Sequence, residues 1–382
     1  MSINERIIYM NNKIVIPSLL LCALCVSCGQ GVDYELKDYR TVMKFHDDFK
    51  VMQLTDLHLG VQGDLAKNLG FVGYNIDHAD PDLIVITGDS MMYGTKVIVD
   101  NYIKFLNDKC LELTNRHPDR VTKFAITFGN HDNQGDYPRY YINNAVKKYV
   151  TEDGNEIKDN KYAAFLDYEN DKLSGLTNYF IDLVDDVTKS SDEVDVKYRL
   201  HILDSNTYHY IGPKYKYEVI QDDQLEHMLN IYQNATKDKD YIGMAFFHIP
   251  FIEFEQLKDK YKADENRHLY GQGEFREGVG DPYYDNGSFE KMREANIISY
   301  FVGHDHINYC DIIYNHEDAS VDNKAIFSYG VKSTDQIYHD DDMLGYKLIN
   351  LKDNMTVEKF LTIENINENF INVIDRGNYY DK

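Results

Sequence analysis

The 382-residue sequence has no tryptophan, little cysteine and a marked shortage of basic residues. Its 40 lysines and arginines face 64 aspartates and glutamates, which gives a formal net charge of −24. Binding to a nucleic-acid backbone needs clustered Lys and Arg, so we expect no nucleic-acid partner. Tyrosine, in contrast to tryptophan, is abundant: there are 32, and some of them are available to stack on a substrate.

The cysteines are too few and too scattered for a disulfide framework. Three of the five lie near the N-terminus, which leaves Cys110 and Cys310 far apart in the rest of the chain. We therefore expect two separate buried thiols. The sequence also lacks repeats and low-complexity tracts, which argues against a solenoid or a disordered protein.

The N-terminus has the pattern of a leader segment. A short basic start precedes an apolar run at 14–26, which is too short to span a bilayer comfortably. The tail Val26-Ser27-Cys28-Gly29 resembles a bacterial lipoprotein cleavage box, with Cys28 as the lipidated residue and Cys25 where leucine is usual. A plain signal peptide or an uncleaved anchor is the alternative, and Met10 is an alternative start. We expect an extracytoplasmic protein, secreted or membrane-anchored, that meets the membrane only through Cys28.

Strand and helix patterns alternate through the first half of the chain. Strands are predicted at 49–54, 83–86 and 124–128, and helices at 65–79 and 96–115, which indicates an α/β domain whose sheets are covered by helices. The later predictions are strands at 178–184, 198–203, 242–247 and 297–302, a helix near 222–232, a surface excursion at 151–176, a long loop at 261–288, and closing antiparallel strands of a second sheet at 312–313, 325–329, 346–351 and 357–361.

Short polar strings follow several of these strands. They are Asp56-Leu57-His58, Gly88-Asp89, Gly129-Asn130-His131-Asp132 and Gly303-His304-Asp305-His306, and the strand at 242–247 ends at His248. Functional groups of α/β sheets collect at the carboxyl ends of the strands. The placement therefore favours a functional site over a set of unrelated turns.

The residue types in these strings suit metal ions. In an extended chain residues i and i+2 point to the same side, roughly 6.5 Å apart, so Asp56 and His58 can converge on one metal. Asp89 has two oxygens that can bridge metals, and Asn130 offers a neutral oxygen. Each string alone is typical of a turn, and a lone His248 is more often a buried histidine. The ordered set favours a dinuclear metal site that hydrolyses a phosphate ester.

These motifs make the chain similar to the calcineurin-like metallophosphoesterases, whose signature D-x-H, G-D, G-N-H-[DE], H, G-H-x-H is present in order over residues 51–306. The resemblance implies a four-layer β-sandwich of two mixed sheets flanked by helices. Leu203-Asp204-Ser205-Asn206, the helix at 221–233 and Asn286-Gly287-Ser288-Phe289 most resemble the branch related to purple acid phosphatases. The implied organisation is a signal peptide at 1–28, a linker at 29–45, the metallophosphoesterase domain at 46–365 and a C-terminal tail at 366–382.

The resemblance also implies a role for each site residue. The first metal would be held by Asp56, His58 and His306, the second by Asn130, His248 and His304, with Asp89 as the bridge. A metal-bridging hydroxide would attack phosphorus. His131 would protonate the leaving alkoxide or contact the phosphoryl oxygens, and Asp132 would either orient His131 or simply cap a helix. Mn, Zn and Fe all suit such mixed nitrogen and oxygen ligands.

One departure from the purple acid phosphatases concerns their metal-binding tyrosine, which lies three residues after the second aspartate. Met92 occupies that position here, and Tyr93 comes one residue later. We therefore expect no tyrosinate ligand, no purple colour and no firm preference for ferric iron.

The sequence is compatible with three functions. The first is a phosphomonoesterase acting on a small molecule or phosphoprotein, and the second is a phosphodiesterase acting on cyclic nucleotides or lipid head groups. The third is a non-catalytic binding protein with a relic site, which the intact ligand set disfavours. A monoester dianion calls for an added cation, for which Arg139, Arg276 and Lys214 are the candidates. Specificity is expected to lie in the segments 151–176 and 261–288.

Overall fold

The computed structural model describes residues 40–61, 65–137, 139–151, 153–164, 173–189, 194–234, 241–263, 270–315, 324–352 and 370–371. The chain divides into two compact units, residues 1–35 and 36–382, and all the described residues belong to the second. The predicted leader, most of the predicted linker and the predicted strand at 357–361 lie outside the described residues.

Most strands belong to one of two mixed sheets. The strands are β1 (Arg40–Lys44), β2 (Phe49–Leu54), β3 (Leu83–Thr87), β4 (Lys123–Thr127), β5 (Tyr149–Val150), β6 (Glu156–Ile157), β7 (Asn178–Val184), β8 (Val196–Leu203), β9 (Tyr208–Ile211), β10 (Lys214–Tyr217), β11 (Ile242–Phe246), β12 (Tyr270–Phe275), β13 (Ile297–Val302), β14 (Asn308–Asn315), β15 (Lys324–Tyr329), β16 (Tyr346–Leu351) and β17 (Phe370–Ile371). The five-stranded sheet has the order β17-β16-β2-β3-β4, and the eight-stranded sheet has the order β1-β7-β8-β11-β13-β15-β14-β12. The pairs β5-β6 and β9-β10 form separate hairpins.

Helices cover the outer face of each sheet. They are α1 (Leu65–Ala79), α2 (Lys96–Arg116), α3 (Arg139–Val146), α4 (Asp222–Asn234), α5 (Glu253–Ala263) and α6 (Ser288–Glu294). The first three pack on the five-stranded sheet and the last three on the eight-stranded sheet. Helix α2 begins where the Thr95 side chain accepts a hydrogen bond from the Ile98 amide, a typical N-cap.

The central core lies between the two sheets. In β3, Leu83 and Val85 face this core, whereas Ile84 and Ile86 face the helices on the other side. Because both faces of the strand are buried, its sequence is a continuous apolar run and not an alternating one. The resulting order of helices, sheet, sheet and helices confirms the predicted four-layer α/β architecture.

The parallel parts of the two sheets point their carboxyl ends toward one region. Strands β2, β3 and β4 run parallel to one another, as do β8, β11 and β13 in the other sheet. The loops that follow β2, β3, β4, β11 and β13 carry the predicted site residues.

The predicted loop at 261–288 is wrong in part, because β12 lies within it. This strand pairs antiparallel with β14 and places Gly273 opposite Cys310. A Cβ added to Gly273 would come within 2.9 Å of the Cys310 Cβ, so the close approach requires glycine. The same glycines make the segment read as a loop in the sequence.

The closing strands are also arranged differently from the prediction of a second antiparallel sheet. Strands β14 and β15 extend the eight-stranded sheet, and β15 runs parallel to β13, whereas β16 pairs with β2 in the other sheet. Strand patterns identify extended segments but not their partners. Strand β1 lies inside the segment predicted as a linker and pairs with β7.

Cys110 and Cys310 are separate, buried thiols, which confirms the prediction for them. Across the described part of the chain, no helix is both long and apolar enough to cross a bilayer.

Candidate metal centre

Six of the predicted site residues form two buried ligand clusters. In each cluster the three ligand atoms lie within 4.8 Å of one another. The first cluster consists of Asp56, His58 and His306, and the second of Asp89, His248 and His304. Six of the seven predicted ligands therefore meet at one site, and Asp89, the predicted bridge, groups with His248 and His304.

Both sheets contribute to each cluster. Asp56 and His58 follow β2 and Asp89 follows β3, all in the five-stranded sheet. The other three histidines, His248, His304 and His306, follow β11 and β13 in the eight-stranded sheet. The site is therefore assembled only when the two sheets pack together.

Asp89 lies between the clusters. Its Oδ2 is 3.2 Å from His248 Nε2 in the second cluster and 3.8 Å from His58 Nε2 in the first. The two histidines of the first cluster also approach each other, with 3.0 Å between His58 Nε2 and His306 Nε2. One carboxylate oxygen thus faces both groups of ligands.

Hydrogen bonds fix the ligand side chains from behind. The backbone carbonyl of Thr87 is 2.8 Å from His248 Nδ1, and that of Tyr338 is 3.0 Å from His306 Nδ1. In the neutral ring these contacts keep the proton on Nδ1, so that Nε2 offers a lone pair to a cation. Asp89 Oδ1 accepts the His131 backbone N–H at 2.7 Å, which turns Oδ2 toward the clusters.

The remaining ligand oxygens are buried without any hydrogen bond. Among the described residues, Asp56 Oδ1, Asp89 Oδ2 and Asn130 Oδ1 have no hydrogen-bond partner. An unsatisfied buried oxygen is costly, and three of them beside four imidazoles form a donor set suited to a transition metal. The residues therefore fit a dinuclear metal centre.

Asn130 is oriented for the same purpose. Its amide Nδ2 donates to the Tyr208 hydroxyl at 2.7 Å, so its Oδ1 is the atom left free. The next residue along the chain bonds to Asp89, which keeps Asn130 beside the second cluster.

The backbone at the site adopts a conformation that side chains rarely accept. Asp56, His58, Asp89 and His304 all have φ between +47° and +81°. Such residues each cost on the order of 1–3 kcal/mol and persist only where the surrounding structure holds them. At Gly88 (φ +87°) an added Cβ would lie 2.6 Å from His248 Nδ1, so this position requires glycine.

Burial and neighbouring charges shift the pKa values of the ligands. Burial lowers the pKa of His58 and of His304 to about 3, so both rings are neutral and able to bind a metal. Burial also opposes the charge on His248, but the carboxylate of Asp89 outweighs it and raises the pKa of His248 to about 10. Burial likewise opposes ionisation of Asp89, yet His248 holds the pKa of that carboxyl well below its usual range. A cation bound beside Asp89 has to displace the proton on His248.

A cavity of about 310 Å³ opens over the clusters. Its lining includes Asp89, His131, His304 and His306, together with residues 277–280 from the segment in which specificity was predicted. None of the described residues of the other predicted segment, 151–176, lines it.

His131 and Asp132 have different surroundings. The His131 ring lines the cavity, and its Nδ1 has no hydrogen-bond partner among the described residues. Asp132 is fully buried, and its two oxygens accept the backbone N–H groups of Met91 and Gly129, each at 2.8 Å. This carboxylate therefore holds two loops together, and its role toward His131 stays a prediction.

None of the three candidate cations lines the cavity. Arg139 pairs with Asp204 at 3.0 Å. Arg276 contacts Glu274, Asp340 and Asp342. Lys214 is exposed on β10 at the turn of the β9–β10 hairpin.

Several residues at the site were not predicted from the sequence. Lys332 is buried and its Nζ donates to the backbone carbonyl of Asp56 at 2.6 Å. The rings of Tyr217 and Tyr338 lie against His304 and His306, each with 4.2 Å between centroids. A signal existed for Tyr217, because tyrosines alternate on both sides of the Gly212-Pro213 turn, whereas Lys332 carries no local signal.

Comparison with known proteins agrees with this geometry. The family model for calcineurin-like phosphoesterases matches residues 49–308. Phosphatase DCR2 of Saccharomyces cerevisiae is 28% identical over 299 residues, which cover 74% of this chain and 47% of the yeast protein. The probable inactive purple acid phosphatase 29 of Arabidopsis thaliana is 24% identical over 287 residues, 68% of this chain and 67% of the plant protein.

A solved dimetal phosphatase from Danio rerio covers 81% of this chain and 94% of its own, with 10% identity and a TM-score of 0.43. That score is too low to add to the assignment. This chain's match spans about half the length of the yeast relative. The family match extends over most of the described residues and, with the two clusters, indicates a dinuclear metal site. The chain therefore belongs to the calcineurin-like phosphoesterase family.

Proposed function

We propose that this protein hydrolyses phosphate esters, with phosphomonoesters as the first candidate substrates. The observation that carries the proposal is the position of Asp89 Oδ2, which lies within 4 Å of a histidine in each of the two buried ligand clusters. The name of the yeast relative, a phosphatase, supports the choice of monoesters.

Seven side chains would hold the two metals. Asp56, His58 and His306 suit the first, Asn130, His248 and His304 suit the second, and Asp89 suits both. Two bound metal ions supply a water of lowered pKa and neutralise charge on the phosphate oxygens. Mn, Zn and Fe are each compatible with these ligands.

The protein's own residues orient the reaction. The Thr87 and Tyr338 carbonyls fix the rings of His248 and His306, so that ligand positions are set before substrate arrives. We assign to His131, whose ring lines the cavity, the transfer of a proton to the leaving oxygen. Asp132 acts indirectly, by fixing the loop that carries Asn130 and His131.

Phosphodiesters are the second candidate, and a specific observation favours them. No Lys or Arg is found among the described residues that line the cavity, and Arg139 and Arg276 are both bound by carboxylates. A diester carries one negative charge fewer than a monoester dianion and needs less added positive charge.

The test uses apo protein to which Mn, Zn or Fe is added in turn, with p-nitrophenyl phosphate and bis-p-nitrophenyl phosphate as substrates. Metal-dependent hydrolysis of the first with little of the second supports the monoesterase, and the opposite ratio supports the diesterase. Tight metal binding without hydrolysis of either substrate would identify a non-catalytic protein and overturn the proposal.

We further propose that the protein works outside the cytoplasm, on a small phosphorylated compound or a phosphoprotein, and is held at the membrane by a lipid on Cys28. The support is the leader pattern at 14–29. Detergent partitioning of the expressed full chain and of Cys28→Ala tests it. The parent is expected in the detergent phase and the variant in the aqueous extracytoplasmic fraction. An unprocessed parent in the cytoplasm would contradict the proposal.

A further inference from the structure

The hairpin formed by β9 and β10 has a face made of tyrosines. Tyr208 pairs with Tyr217 across the hairpin, and Tyr210 pairs with Tyr215. Residues two apart in a strand share a face, and so do directly opposed residues, so all four rings lie on one side. The ring centroids of Tyr208 and Tyr215 are 4.9 Å apart. We call this surface the tyrosine face.

The tyrosine face begins at the metal centre and ends in solvent. At its inner end, the Tyr217 ring lies edge-on to His304 and lines the cavity, and the Tyr208 hydroxyl contacts Asn130. At its outer end, Tyr210 and Tyr215 are 70% and 58% exposed. A row of tyrosine rings therefore extends from the metal centre to the solvent.

A fifth tyrosine lies at the first cluster. The Tyr338 ring stacks on His306 at 4.2 Å with 26° between the planes, lines the cavity and is 55% exposed. Its hydroxyl donates to Glu277 at 3.1 Å, which fixes the ring. The preceding residue, Ile337, has φ +55°, a strained conformation for a β-branched side chain. Tyr338 is thus held at the cavity although it is half exposed.

Charge further restricts what can lie beside these rings. The described residues that line the cavity include the carboxyl groups of Glu277 and Asp305 and no Lys or Arg. A second anionic group on the substrate would find no Lys or Arg partner among these lining residues. An uncharged ring fits the same surroundings.

We propose that the substrate is a small phosphate ester whose alcohol part carries a neutral aromatic ring, which packs on the tyrosine face and Tyr338. The inference rests on the proposed function and adds the class of the alcohol. The cavity volume is at the lower end of the range for small-molecule sites and suits one ring with one phosphate. Aromatic pairs gain from offset or edge-to-face packing beyond the burial of area. Tyr217 and Tyr338, the two tyrosines that line the cavity, would then select the substrate without touching the reacting atoms.

The test compares benzylphosphonate with cyclohexylmethylphosphonate, which match in charge and nearly in size but differ in aromaticity. Each is also prepared as its monomethyl ester, to match whichever ester class is hydrolysed. Dissociation constants are measured by calorimetry on the full chain loaded with the metal that gives turnover, or with Mn if none does. We expect the benzyl compound to bind about three- to tenfold more tightly.

Variants then locate the preference. Tyr217→Leu and Tyr338→Leu, at the two tyrosines that line the cavity, should each bring the ratio of the two dissociation constants closer to one, and the double variant should abolish the benzyl preference. Tyr74→Leu, at an exposed tyrosine on α1, is the matched control and should keep the parental ratio. Circular dichroism and metal content identify any variant that has lost its fold.

Each result bears on the inference separately from the proposed function. Equal binding of the two phosphonates, no binding of either, or a preference that both Tyr variants retain would overturn the inference, whatever the p-nitrophenyl assays show. If the protein prefers the benzyl compound but hydrolyses neither p-nitrophenyl substrate, the aromatic-ring site stands and the proposed phosphoesterase activity is refuted.

Discussion

The side-chain amide of Asn130 donates a hydrogen bond to the hydroxyl of Tyr208 at 2.7 Å. This contact joins a predicted metal ligand to the hairpin that carries the tyrosine face. It also selects which atom of the amide is free, because Asn130 Oδ1 is left buried and unpartnered.

Replacing Tyr208 with Phe should weaken the second metal site. The ring would remain, but the amide of Asn130 would lose the partner that orients it. Loss of such an outer contact typically lowers metal affinity by about 10- to 100-fold. Metal titration by calorimetry checks this, with Tyr140→Phe at a 64% exposed position as the control. Equal affinities in parent and Tyr208→Phe would show that the hydrogen bond does not orient the ligand.

Asp89→Ala is expected to abolish both metal uptake and turnover. The substitution removes a carboxylate oxygen that lies within 4 Å of a histidine in each cluster. Elemental analysis after dialysis against metal gives the number of ions per chain. The control is Asp119→Ala, at an exposed carboxylate. An Asp89→Ala protein that keeps two ions would disprove the bridging role.

His131→Ala should keep the metals and lose most of the rate. The ring lines the cavity, whereas the group that holds Asp89 is the backbone N–H of the same residue, which alanine retains. Proton transfer by a positioned side chain contributes about 10²- to 10⁴-fold, so kcat should fall within that range. Measurement of kcat beside metal content tests both parts. Parental turnover in the variant would remove His131 from the mechanism.

Protein loaded with ferric iron should show no tyrosinate-to-iron absorption band. Met92 occupies the position where purple acid phosphatases have a ligand tyrosine, and Tyr93 is 56% exposed, unlike the six buried cluster residues. A visible spectrum decides the matter. A purple band that disappears in Tyr93→Phe would mean that Tyr93 reaches the metal after all.

Glu253, five residues after the predicted ligand His248, gives a pH-dependent contribution to stability. Burial, with Asp285 and Glu290 adding to it, raises the pKa of this half-buried carboxyl to about 7. The folded state therefore binds the proton more tightly than the unfolded state, so stability is lost as the pH rises from about 4.5 to about 7. Glu253→Gln should remove that loss and stabilise the protein by about 1 kcal/mol at pH 8, after allowance for solvent screening.

Urea unfolding of parent and Glu253→Gln at pH 4.5 and pH 8 measures the difference. The two proteins should be similar at the lower pH and diverge at the higher one. Glu226→Gln, at an exposed glutamate on α4, is the control and should have the same free energy of unfolding as the parent at both pH values. Divergence at the lower pH alone would reverse the assigned sign.

The sequence predicted the part of the fold that depends on local pattern. The continuous apolar run at 83–86 predicts a buried strand, and β3 is found there. Helix α1 has the predicted bounds. Strand β12 was missed because its glycines serve close packing against β14, a contact with residues more than thirty positions away. The partners of β15 and β16 were likewise settled by tertiary packing.

The ligand set was predictable for a related reason. Each ligand closely follows a strand, so a local pattern located it, and the family resemblance implied how the ligands are divided between the metals. The hydrogen bonds of Asp132 and the burial of Lys332 depend on loops distant in sequence, and no local pattern contains them. Tyr338 follows no predicted strand, and only its contact with His306 reveals it.

Because each ligand cluster takes residues from both sheets, two bound ions would cross-link the sheets. Sliding one layer against its neighbour by even a single residue step would pull the coordinating atoms out of reach of each other. Metal binding should therefore fix the two sheets relative to each other, so that the free energy of unfolding increases with the number of metal ions bound.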